Sequence, residues 1–233
     1  MKDKIGLIFS HIHVRPHEMY KFDMLEYCID HFDGFDLDFR FVLCGHGVEP
    51  PDFIREKIHG IHWETDIDNR EIGVGHPKFC IKGYEILIEN DITQSLKMRA
   101  SDLLTNEQEF VRLLGTQKVV FSEQTSVSKG MIGDLFMMGN PKDVLSLWVE
   151  KPWNYKHSGL YNLFDNASSK AATRNINIER YLRQNYVFTS PGKIGWMTLD
   201  NNWDSENKTI REGFSNKHLW GHMQGYTYYG GFK

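Results

Sequence analysis

The chain predicts an α/β fold with a mainly parallel central sheet flanked by helices and an irregular, aromatic-rich C-terminal region. Strand-sized apolar runs alternate with segments of helical period through the first hundred residues, the βαβ order that builds parallel sheets. The runs are apolar at nearly every position rather than at every second one, as in strands buried on both faces. Glycine, proline and asparagine separate the segments at the intervals that turns require.

Residues 4–12 (KIGLIFSHI) read as a buried strand, and 18–32 as a helix with Met19, Phe22, Leu25, Ile29 and Phe32 near a helical period. A second strand at 37–44 (LDFRFVLC) ends in Gly45-His-Gly47. Pro50-Pro51 then starts a short helix to about residue 58, and 61–64 is a third strand. A turn-rich passage over 66–77 leads to a helix at 79–90, and this delivers the chain to a fourth strand at 95–104. Beyond it come a helix at 107–114, a strand at 118–122, an apolar run at 132–138 that carries Asp134, and a helix at 141–148 with proline in its first turn. Residues 178–186 read as a helix opening on Glu179, and the last forty residues as a loop-dominated cover. The whole reads as one domain over 1–233, with halves at 1–104 and 105–233.

Composition excludes several classes of function. With 27 basic against 31 acidic residues, a formal charge of -4 and no block of like charge, nothing predicts a nucleic-acid face or a polybasic anchor. Cys28, Cys44 and Cys80 are odd in number and widely spaced, which argues against a disulfide framework or a cysteine zinc site and favours a reducing, cytoplasmic setting. The opening apolar run is too short for a signal peptide, and no window reaches the length of a spanning helix. Peripheral association with a membrane stays open.

In an open parallel sheet ligands sit at the carboxyl ends of the strands. The groups predicted there are Ser10 and His11 after the first strand, Gly45 and His46 after the second, Asp66 after the third and Asp102 after the fourth. The segment Ser95-Leu-Lys-Met-Arg-Ala-Ser-Asp102 is the most informative. Leu96 and Met98 would bury one strand face, Lys97 and Arg99 would face the other way, and Asp102 would stand where the strand gives out. Two cations and a carboxylate so placed suit a diphosphate with its divalent metal. The same residues also suit an exposed strand end with solvated charges.

In this order the motifs resemble those of GT-A type nucleotide-sugar glycosyltransferases, a Rossmann-like fold, and most closely the WavE-like lipopolysaccharide-synthesis family. The resemblance rests on Lys97-Met-Arg-Ala-Ser-Asp102, Gly133-Asp-Leu-Phe-Met-Met-Gly139, Asp143-Val-Leu-Ser-Leu-Trp148 and Glu179-Arg-Tyr-Leu182. It implies transfer of a hexosyl or related sugar from a nucleotide-sugar donor, bound by the first half, to a saccharide or glycan acceptor on the second, in polysaccharide biosynthesis. It further implies Mn²⁺ or Mg²⁺ at Asp102, donor contacts from Ser10, Asp66, Lys97 and Arg99, and a catalytic carboxylate at Asp134 or, second, Glu179. One departure stands out: Arg99 and Asp102 are separated by two residues where the family has one, so either Asp102 or Ser101 occupies the metal position. Asp134 could equally hold a loop, and Glu179 could be a first-turn acid favoured by the helix dipole.

Two other readings compete. His11-Ile-His13, on one side of a regular strand, would suit a metal-dependent hydrolase. The incomplete acidic element, with Ala100 where a second acid would stand, would suit a catalytically silent GT-A-like binding module. The C-terminal tryptophans and tyrosines, Trp203 among them, would serve either as sugar platforms or as anchors for the tail.

Overall fold

A computed structural model describes residues 4–65, 72–104, 107–114, 120–124, 131–149, 188–194, 196–199, 203–211 and 223–228. The predicted run at the start forms β1 (Lys4–Val14), and a 3-10 turn at Pro16–Glu18 leads into α1 (Tyr20–Asp33). Then follow β2 (Asp38–Gly47), α2 (Asp52–Arg55), β3 (Gly60–Glu64), α3 (Ile72–Glu89) and β4 (Gln94–Met98). The rest comprises β5 (Asp102–Leu104), α4 (Glu107–Leu114), β6 (Val120–Gln124), β7 (Met131–Gly139), α5 (Pro141–Val149), β8 (Phe188–Ile194), β9 (Trp196–Thr198), β10 (Trp203–Asp204), β11 (Thr209–Ile210) and β12 (Met223–Tyr228).

Eight of these strands form one sheet in the order β3-β2-β1-β4-β7-β6-β12-β8. The β3, β2, β1 and β4 pairings are parallel, and every pairing from β4 through β7, β6 and β12 to β8 is antiparallel. Among the described strands of this sheet, only β7 and β12 therefore oppose β1, so the mainly parallel sheet is present as predicted.

Both faces of the parallel half are covered, which is why its strands read as continuous apolar runs. Leu7, Phe9, Phe41 and Leu96 pack with Phe22, Leu25, Ile29 and Phe32 of α1. Ile8, Val42, Cys44 and Met137 pack with Phe79, Cys80, Tyr84 and Leu87 of α3. Gly6 makes the second contact close, because a Cβ there would run into the Leu87 side chain. All three cysteines are buried thiols, and burial pushes the Cys44 thiol pKa up, so they act as small core residues.

Three expectations are corrected. The 66–77 passage is not a turn throughout: residues 72–77 belong to α3, whose anchoring on the sheet through Phe79, Cys80, Tyr84 and Leu87 outweighs the low helix propensity of Gly73, Gly75 and Pro77. The 95–104 strand is two strands, with β4 ending at Met98 and β5 pairing antiparallel with β9 in a separate sheet. The tail is not only a cover, because β12 lies inside the main sheet between β6 and β8. Trp203, in contrast, is an anchor. It is buried in the α1-side core and meets Tyr27 edge-on at 5.5 Å, while Lys208 reaches Asp23 of α1 at 2.8 Å.

Candidate functional site

The chain runs from β1 to β2 and β3 on one side and returns through α3 to β4 on the other. The point where strand order reverses thus lies between β1 and β4, the usual place for a ligand crevice in an open α/β sheet. β4 accompanies β1 only as far as the Phe9–Met98 pair, whereas β2 stays paired with β1 to Val14. Beyond Phe9 the ladder between β1 and β4 thus opens, with no described strand pairing β1 on that side.

At that opening β1 carries an irregularity between Ser10 and Ile12, where its register with β2 slips by one residue. Bulges of this kind re-aim side chains and cluster near active sites. Ser10 is 2% exposed, pairs with Cys44, and its Oγ meets no hydrogen-bond partner among the described residues. After the slip, Ile12 joins the α1-side core and His13 lies beside His46.

Gly45 is what permits this path. A Cβ at Gly45 would strike the carbonyl oxygen of Ile12 and come within 2.6 Å of Trp63 Cζ3. Gly47 has φ of 104°, a left-handed conformation that glycine adopts without strain. The Gly-His-Gly segment predicted to follow the second strand therefore belongs to the strand itself.

The α3-side rim is a rank of rings. His13 and His46 stack at 4.3 Å, His46 stacks on Phe79 at 5.5 Å, and His62 tilts against Phe79 at 5.9 Å. His62 bonds Glu64 at 3.0 Å and Lys78 reaches Glu64 at 2.6 Å. Burial pushes the Glu64 carboxyl pKa up, but the Lys78 and His62 contacts outweigh it and hold the value down. The Glu64–Lys78 pair had no sequence signal, since its partners are fourteen residues apart.

Burial lowers the His13 pKa, the Arg15 and Lys21 charges lower it further, and Glu18 opposes them. The unfolded imidazole takes its proton near 6.5 while the folded one resists to lower pH, so the unfolded state binds more protons just below that value. Stability is therefore expected to fall as pH drops through this window. His59, whose pKa is lowered by burial and by Arg40, adds to the slope. Urea midpoints between about pH 7.5 and about pH 5 should show His13→Gln removing part of the slope; an unchanged slope would assign the effect elsewhere.

On the β4 side Lys97 is fully buried. It is in register with Ile8 and Met137, which places it on the α3 face and rules out a solvated strand-end charge. Arg99 lies past the strand and forks onto Asp102, Nε to Oδ2 at 2.8 Å and Nη2 to Oδ1 at 2.9 Å. Asp102 is 1% exposed and the Arg99 side chain 37%. The two residues between them form a tight turn in which the Asp102 N–H donates to the Arg99 carbonyl at 3.2 Å. β9 fixes the turn from outside, as the Leu199 N–H donates to the Ser101 carbonyl at 2.7 Å.

Asp134 lies on β7, with its side chain outside the described set, and Asp66 and Glu179 are outside the described residues. The structure thus brings Ser10, Arg99 and Asp102 to one edge of the sheet and is silent on the other acids. It does not favour a histidine metal centre: His13 is stacked on His46 in the rank of rings, and the His11 side chain lies outside the described set. Among the described residues no group of three or more His, Cys, Asp or Glu could hold a metal ion. No described helix is long and apolar enough to cross a membrane.

No family model matches the chain, and no curated protein matches its sequence. Among solved structures, one described as a nucleotide-diphospho-sugar transferase from Desulfovibrio desulfuricans aligns with TM-score 0.43 and 9% identity, over 78% of each chain. The glycosyltransferase GlyE of Streptococcus pneumoniae aligns with TM-score 0.43 and 10% identity over 77% of this chain, and its apo form with TM-score 0.44 and 9% identity. This chain spans 44% of the GlyE chain's length.

Proposed function

We propose that the chain is a cytoplasmic glycosyltransferase of GT-A type that binds the diphosphate of a nucleotide-sugar donor in the crevice between β1 and β4 and passes the sugar to a saccharide acceptor. The carrying observation is the Arg99–Asp102 pair just past the carboxyl end of β4, the strand that neighbours the bulged β1 at the strand-order reversal. It joins a cation suited to two-pronged phosphate contact and a buried carboxylate suited to a hard divalent ion.

Asp102 offers oxygen ligands, the donor type that Mg²⁺ and Mn²⁺ accept, and such ions take most of their remaining ligands from water and substrate phosphates. A single carboxylate is compatible with that mode, although both Asp102 oxygens already accept from Arg99. In this reading an incoming diphosphate competes for Arg99 and releases Asp102 for the metal. The ion would supply charge neutralisation as the nucleoside diphosphate leaves. Arg99 would neutralise phosphate oxygens directly. Lys97, inside the sheet, would act by its field on the same region, Ser10 Oγ would bond the donor, and Asp66 would complete the donor site. Asp134, or else Glu179, would take the proton from the acceptor hydroxyl.

A thermal-shift series with nucleoside diphosphates should show stabilisation that requires Mn²⁺ or Mg²⁺ and is lost in Arg99→Leu, because a ligand of the native state raises its stability by mass action. No shift with any nucleoside diphosphate, with or without metal, would overturn the proposal. Binding without sugar release from any nucleotide sugar, with or without acceptor, would favour the silent module.

A further inference from the structure

The site above leaves the opposite edge of the sheet unassigned, and that edge carries a cavity of about 190 Å³. Three basic side chains line it: Lys4 at the start of β1, Arg40 near the start of β2, and His59 just before β3. Among the described residues no carboxylate belongs to the lining, and Val42, Leu87 and Ile92 form its apolar wall. Arg40 and Gly47 are seven residues apart on β2, about 23 Å at strand rise, so this cavity is separate from the carboxyl-edge crevice.

We propose that this cavity is a second ligand site, for a small organic oxyanion: a carboxylate or phosphate head on a short apolar body. Its size lies below the roughly 300–1,000 Å³ of drug-sized pockets, which excludes a nucleotide sugar. His59 accepts the Phe41 N–H through Nδ1 at 3.1 Å. The neutral ring therefore carries its proton on Nε2 and can donate without being charged. Arg40 bonds Asp38 through Nη2 at 3.1 Å, and its buried Nε meets no acceptor among the described residues. That pair uses Nη2 of the guanidinium, so the rest of the group can meet an anion while Asp38 stays paired.

Two features oppose an anion here, and both are muted. Asp33 and Asp38 act on His59, but Asp38 is already paired with Arg40. The C-terminal end of α3 is the negative end of its dipole, yet the Ile86, Leu87 and Ile88 carbonyls are occupied. Ile86 O accepts from the Asn90 backbone and side chain, and Leu87 O accepts from the Ile92 N–H at 3.0 Å. Lys4 is exposed, which leaves a charged group accessible from solvent.

The test follows the His59 ring signals by NMR during titration with butyrate, propyl phosphate and inorganic phosphate. Saturating shifts are expected, tighter for the two tailed anions than for inorganic phosphate. Arg40→Gln should weaken them roughly tenfold or more, and Lys4→Gln should weaken them less. A nucleoside diphosphate should leave the His59 signals in place, so failure here and failure of the donor proposal are distinguishable. If Arg40→Gln does not fold, Lys4→Gln at the exposed strand start carries the comparison. Absence of saturation, equal binding in the folded variants, or inorganic phosphate matching the tailed anions would each overturn the proposal.

Discussion

Replacing Gly45 with alanine is expected to lower the unfolding free energy by about 3 kcal/mol and to disorder the carboxyl edge of the sheet. The added methyl has no direction in which to yield. On one side it meets the backbone oxygen of Ile12, carried inward by the slip in β1, and on the other the Trp63 ring. Trp63 is itself tied by its Nε1–H to the Gly47 carbonyl at 3.2 Å, so moving it would disturb the left-handed glycine that ends the strand. Relief requires either undoing the slip, which would return Ile12 and His13 to the opposite faces, or parting β1 from β2. Urea unfolding checks the magnitude, and the His13 and His46 ring signals check the place. A variant with unchanged midpoint and signals would show that the strands have slack the packing does not suggest.

Replacing Arg99 with leucine is the second large change, with an expected loss of about 2 kcal/mol together with loss of nucleoside-diphosphate binding. Removing one partner of a fully buried pair costs about 3–5 kcal/mol because the other charge is left uncompensated. Arg99 is more than one-third exposed, and water then reaches the vacated position, so the smaller value applies. The double variant Arg99→Leu with Asp102→Asn should be more stable than Arg99→Leu alone, since the buried charge leaves with its partner. A double variant less stable than either single one would mean that the pair is not what holds the turn. Asp102→Asn alone tests the metal role, and undiminished Mn²⁺-dependent stabilisation by nucleoside diphosphate in that variant would remove Asp102 from the proposed mechanism.

The order of elements was legible because burial on two faces writes itself into consecutive apolar residues, as in Leu7-Ile-Phe9 and Phe41-Val-Leu43. The helix at Glu107–Leu114 shows its period so strongly that its bounds agree at both ends. The face of Lys97 was legible but its burial was not: alternation gives the face, and only the packing of α3 and the strand pairing to β7 shows that this face is covered. The break after Met98 was hidden because Arg99, Ala100 and Ser101 carry no turn signature, and Asp102 leaves the sheet to pair with Thr198, almost a hundred residues onward. The slip in β1 was hidden for the same reason. Ser10-His11-Ile12 has no glycine or proline to mark it, and its signal lies on the neighbouring strand, in Gly45.

The insertion of β12 between β6 and β8 also sets a schedule for the nascent chain. β1 through β4 can pair as soon as residue 98 clears the ribosome, with contacts that are largely complete within that segment. β6 and β7 can extend this sheet soon after, but the outer edge of β6 waits for residues 223–228. At roughly 5–20 residues per second that wait lasts on the order of 5–20 s. For that interval a strand edge with unmatched N–H and C=O groups faces the cell, a template for pairing with other chains. The last segment of the sheet is thus the one that covers this inner edge and moves the exposed border out to β8.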